Sequence, residues 1–107
     1  MEALIAKLSL FGKRPGEPSF LITIEIGTPY KFLKEPEEWV CPVSLAPLYS
    51  RKHDVHAGDS FQALSLAIAL IGNTLWDFRD KGGHLSYDGT SDDFPLDAYS
   101  FKAIGRK

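Results

Sequence analysis

Four residues able to do chemistry fall within seven positions, His53, Asp54, His56 and Asp59, just ahead of the most apolar run in the chain. Two imidazoles and two carboxylates are the side chains that hold a zinc ion or pass protons. A metal centre, however, needs three or four ligands converging on one point, each oriented by outer partners. H-x-x-H supplies two, and His84 is the only other histidine. The same stretch also has a structural account. Asp59 is a favourable N-cap and Gln62 follows three residues later, so D-S-F-Q opens a helix as a capping box. Its negative charge complements the positive end of the helix dipole. Capping is therefore the reading adopted, and a small metal-dependent or hydrolytic enzyme using His53 and His56 is the alternative.

Other reactive types are sparse. A nucleophilic thiol needs a base nearby and a lowered pKa. Cys41 stands between Val40 and Pro42 on the side of an apolar strand that carries Trp39 and Val43, so it reads as a buried small hydrophobe. No glycine-rich phosphate loop, G-x-S-x-G or H-E-x-x-H occurs, and no catalytic residue, metal or cofactor is expected. From Asp77 to Asp97 there are six aspartates against Arg79 and Lys81. Trp76, Tyr87, Asp88, Asp92 and Asp93 from this region are the candidate contacts for a partner with a basic surface, recognised by complementary charge. D-G-T-S-D-D lacks the order of an EF-hand calcium loop.

The elements that must position these residues follow from periodicity. Leu4, Ala6, Leu8 and Leu10 alternate with Ile5, Lys7, Ser9 and Phe11, a strand pattern. Gly12 to Ser19 holds two Gly and two Pro and reads as a turn or hairpin loop. Phe20, Ile22, Ile24 and Ile26 mark the clearest strand, and Thr28 to Glu38, charged and with two prolines, reads as a connection. Trp39, Cys41, Val43 and Leu45 define a further strand, which Pro42 and Pro47 would place at an edge or bulge.

From Asp59 the period changes. Phe61, Leu64, Ile68, Ile71, Leu75 and Phe78 form one stripe of a helix from Ser60 to Asp80, stopped by Lys81, Gly82 and Gly83. His84 to Tyr87 is a short strand candidate and Ala98 to Ile104 a last one. The order β-β-β-α-β, with a further strand at the end, predicts an α+β domain in which one long amphipathic helix covers one face of a small, mostly antiparallel sheet. Ser65, Ala69 and Gly72 form a small-residue face suited to close packing within the fold or to a homodimer contact; Gly72 costs a helix about 1 kcal/mol relative to Ala.

Composition sets the outer limits. At 107 residues, with 44% hydrophobic and 24% charged, the chain suits one globular domain spanning 1–107. A net charge of −2 does not suggest nucleic-acid binding. The single cysteine suits a reducing compartment. The start lacks the basic-then-apolar pattern of a signal peptide, and the run Phe61 to Leu75, broken by Gln62, Ser65, Asn73 and Thr74, falls short of the ~20 residues that span a bilayer. Cytoplasmic location and no membrane contact are the expectations.

E-W-V-C-P-V-S-L, a short loop, A-G-D-S-F-Q-A-L-S-L-A-I-A-L-I-G-N-T-L and then D-D-F-P together resemble a family of small bacterial domains of unknown function. There, a tryptophan-containing strand precedes a D-S/A-x-Q-A-L helix, and a G-F-P-like motif closes the domain. The likeness runs from Trp39 to Pro95, and Asp93 stands where the motif favours glycine. Small acidic proteins of this kind are also similar to immunity proteins of contact-dependent growth inhibition systems. That resemblance implies a non-enzymatic cytoplasmic protein that binds and neutralises a cognate toxin domain.

Overall fold

The computed structural model describes residues 3–89, 92–99 and 101. Six strands form one antiparallel sheet: β1 (Leu4–Lys13), β2 (Phe20–Gly27), β3 (Tyr30–Lys34), β4 (Glu37–Ala46), β5 (His53–Ala57) and β6 (His84–Ser86). Helix α1 (Ser60–Asp80) joins β5 to β6, and a 3₁₀ turn (Leu96–Tyr99) follows. Strands β2 and β3 lie end to end along one side of β4, β5 pairs with its other side, and β6 closes the far edge beside β1. The architecture is α+β, with the long helix packed on one sheet face.

The helix begins as its sequence dictates. Asp59 Oδ1 accepts the Gln62 N–H at 2.7 Å, and Gln62 Oε1 accepts the Gly58 N–H at 2.9 Å; a cap of this kind is worth about 1 kcal/mol. It ends at Asp80 with Lys81 as its C-cap, followed by Gly82, whose φ of +95° only glycine adopts freely. At 21 residues α1 is long and apolar enough to cross a bilayer by length and composition. Here it lies along the sheet, burying Ala63, Ala67, Ile71, Leu75 and Phe78 against β-strand residues such as Leu10, Ile22, Ile24, Val43 and Leu45.

That buried face differs from the stripe read in the sequence. Phe61 is 80% exposed and Ile68 is also exposed, while Ala63 and Ala67 are fully buried. Small residues let the helix axis approach the sheet closely, so the helix is rolled toward its alanines and the two larger side chains are left outward. Gly72 is explained within the fold: a Cβ there would stand 2.9 Å from Phe101, which covers it. Ser65 and Ala69 are exposed.

Three further expectations are corrected. The stretch Thr28–Glu38 is no simple connection, because it contains β3 and the start of β4, hairpinned through Glu35–Pro36. All five residues of β3 are exposed, and Pro29 and Pro36 flank it. β4 is central rather than an edge strand. Pro42 stands where β4 changes partner from β3 (up to Val40) to β2 (from Val43), so the ladder on that side is already interrupted there. Pro47 falls just beyond the strand. Within the expected last strand, Ala98 and Tyr99 belong to the 3₁₀ turn; Ser100 and 102–107 lie outside the described residues.

Candidate functional site

The polypeptide after β6 folds back over the C-terminal half of the helix. The Phe94 N–H donates to the Leu85 carbonyl at 2.8 Å, and Phe94 and Leu96 are fully buried. This anchor organises a row of aromatic rings: Tyr87 meets Phe94 edge-on at 4.9 Å, Phe94 stacks on Tyr99 at 4.7 Å, and Tyr99 stacks on Phe101 at 5.8 Å. The Tyr87 and Tyr99 hydroxyls hydrogen-bond to each other. That bond, chiefly, holds the Tyr87 hydroxyl above its ordinary pKa, because the neutral phenol can donate and the phenolate cannot.

The structure brings Trp76, Tyr87 and Asp93 into this one region. Trp76 Nε1 donates to the Phe101 carbonyl at 2.8 Å, and the Arg79 guanidinium lies 5.6 Å from its ring centre. The same Arg79 reaches Asp93 at 3.9 Å, and Asp93 also takes His84 Nε2 at 2.6 Å. Asp93 is therefore a tether between β6, the helix end and the returning loop. Asp88 and Asp92 are exposed, each with a contact of its own. Arg79, His84, Tyr99 and Phe101 were not among the candidate contacts named from sequence. Only tertiary contact gives them their place.

The histidine cluster is dispersed. His53 and His56 both lie on β5, three residues apart, so strand alternation turns them to opposite faces of the sheet. His53 stacks on Tyr49, and His56 Nδ1 lies 3.2 Å from Glu38 Oε2. Asp59 is occupied as the helix cap. Among the described residues no three His, Cys, Asp or Glu side chains are placed to hold a metal ion. Cys41 is fully buried, with its Sγ 3.6 Å from the Gly27 carbonyl, and desolvation raises its pKa. A thiol in that setting is a poor nucleophile.

Two other features had no sequence signal. The end of the sheet around β3 carries exposed Leu4, Ile5, Tyr30, Phe32 and Leu33, between 43% and 54% accessible. Register brings the start of β1 to the junction of β2 and β3, since Leu4 pairs with Gly27 and the Thr28 N–H donates to the Ala3 carbonyl at 2.8 Å. On the same end Phe32 packs against His56, and Val40 is buried to 1% yet stands apart from the main core cluster. The second feature is a groove of about 630 Å³ between the β1–β2 loop, Leu48–Tyr49 and the helix.

These elements define a small α+β domain with one helix on the sheet, exposed apolar residues around β3 and, among the described residues, no cluster of side chains placed to hold a metal ion. The chain belongs to the family described as Domain of unknown function (DUF6968), whose model matches residues 10–98. That range runs from within β1 to within the 3₁₀ turn and exceeds the Trp39–Pro95 likeness seen in the motifs. No curated protein and no solved structure matches the chain.

Proposed function

We propose that the chain is a non-enzymatic, cytoplasmic protein-binding domain, and specifically an immunity protein that neutralises a cognate bacterial toxin domain with a basic surface. The observation that carries the binding role is the apolar end of the sheet. Five large apolar side chains, each at least 43% exposed, lie along this end of the sheet, Tyr30, Phe32 and Leu33 on β3 and Leu4 and Ile5 at the start of β1, and exposed apolar surface of this kind marks interaction sites. The aspartate-rich region around Tyr87, Asp88 and Asp92 would steer a basic partner, raising the association rate more than the final affinity.

Co-expression with the products of adjacent genes tests this. The expected result is restored growth in the presence of one toxin-like neighbour and a stoichiometric complex with it. F32D/L33D should abolish the complex, whereas D88N/D92N should mainly slow association at low salt. The proposal fails if the chain neither binds nor protects against any such neighbour.

A further inference from the structure

Two sequence features have no role so far, the R-P-G-E turn and the K-G-G helix stop, and they are adjacent in space. The Glu17 N–H donates to the Arg14 carbonyl at 3.1 Å, Pro15 takes the second position, and Gly16 has φ of +75°. This is a type II turn, with a rigid corner that fixes where Arg14 and Glu17 stand. The turn is seated on the helix end: a Cβ on Gly82 would lie 3.3 Å from Pro15 Cγ.

The seating orients Arg14. Its guanidinium carbon lies 5.1 Å from the ring centres of both Phe20 and Phe78, and those rings meet edge-on at 5.9 Å. A guanidinium held on aromatic faces keeps its N–H edge available for a planar anion. Among the described residues Arg14 has no carboxylate partner. Asp77, which borders the same groove, is taken by Lys81 at 2.9 Å. Glu17 also lines the groove and pairs with no cation among the described residues. Leu48, Leu70 and Phe78 supply apolar wall, and the Tyr49 hydroxyl adds a polar group.

We propose that this groove binds a carboxylate through Arg14, in a ligand whose apolar side chain rests on Leu48, Leu70 and Phe78 and whose N–H is accepted by Glu17. Those three demands together describe an apolar α-amino acid residue with a free carboxyl group. A planar carboxylate takes two parallel N–H bonds from a guanidinium. The source is either the C-terminus of a polypeptide or a free acylated amino acid. The groove shares no lining residue with the proposed toxin-binding surfaces, so its failure leaves that proposal standing, and the reverse.

The test is NMR titration of the intact chain, following the backbone amides of Tyr49, Asn73 and Gly83. N-acetylphenylalanine should shift them saturably at millimolar concentration. N-acetylphenylalaninamide, lacking the carboxylate, should bind at least about tenfold more weakly, the size of one charge-assisted hydrogen-bonded contact. R14Q should weaken the acid by a similar factor and leave the amide unchanged, and R14K should recover part of the loss. A tetrapeptide ending in the same residue that binds more tightly than the acetylated amino acid identifies a polypeptide terminus; equal affinity identifies the small carboxylate. The absence of any saturable shift, equal binding of acid and amide, or unchanged acid binding in R14Q overturns the assignment.

Discussion

At one end of the sheet Leu10, Ile22, Leu85, Phe94 and Leu96 are at most 3% exposed, whereas at the other Leu4, Ile5, Tyr30, Phe32 and Leu33 are 43–54% exposed. The residue types are similar; what differs is the cover. A helix of 21 residues is about 31 Å long at 1.5 Å per residue, while the molecule extends 50 Å along its longest axis. The helix and the returning Phe94–Phe101 segment close one end, and the β3–β4 hairpin reaches past them. An apolar residue on a strand is thus only a candidate for burial, and a second layer must arrive to complete it.

The sharpest way to break this comparison is to truncate one aromatic at each end. Phe94→Ala should cost about 3–5 kcal/mol in denaturant unfolding, as expected for a buried phenylalanine. Phe32→Ala should stay within about 0.5 kcal/mol, like other surface changes. A large loss at Phe32 would show that the hairpin end is covered in solution. Next in size is Gly72→Leu. Its side chain must displace Phe101, which already lies 2.9 Å from the position of a Cβ, and overpacking of this kind costs about 1–3 kcal/mol. Light scattering should show unchanged mass, whereas a halved mass would make the Ser65/Ala69/Gly72 face a homodimer contact.

The smallest effect concerns pH at the covered end. Because the Tyr87 pKa is raised in the folded chain, mainly by its hydrogen bond to Tyr99, the neutral pair favours folding. That contribution is complete below the ordinary tyrosine pKa and is lost as pH climbs through the raised value. Absorbance titration near the phenolate band should show one tyrosine ionising late, and Tyr99→Phe should bring it back toward the ordinary range. If no late-titrating tyrosine is seen in the native chain, the hydroxyl pair is not formed.

Much of the fold was legible in the residues. Asp59, Gln62 and the Lys81–Gly83 stop delimit α1, and alternation marks β1, β2, β4 and β6. Strand β5 was hidden because four of its five residues are polar or small (H-D-V-H-A), and β3 because Tyr30, Phe32 and Leu33 stand among charged residues between Pro29 and Pro36, which reads as a connection. At the candidate surface Trp76, Tyr87 and Asp93 were legible as a charged aromatic region. The tether through Arg79 and His84 was not, since its members come from the helix, β6 and the returning loop.

By itself, the sequence determined what a few neighbouring residues can settle. It set the helix cap, the helix span and a turn within Gly12 to Ser19. Each rests on hydrogen bonds or periodicities that close within one or two turns of chain. Tertiary structure alone decided which face of α1 is buried, that Phe101 covers Gly72, that Arg14 rests on two phenylalanine rings, and that the β3 end stays bare. Those outcomes depend on which surfaces, distant in the chain, come to cover one another.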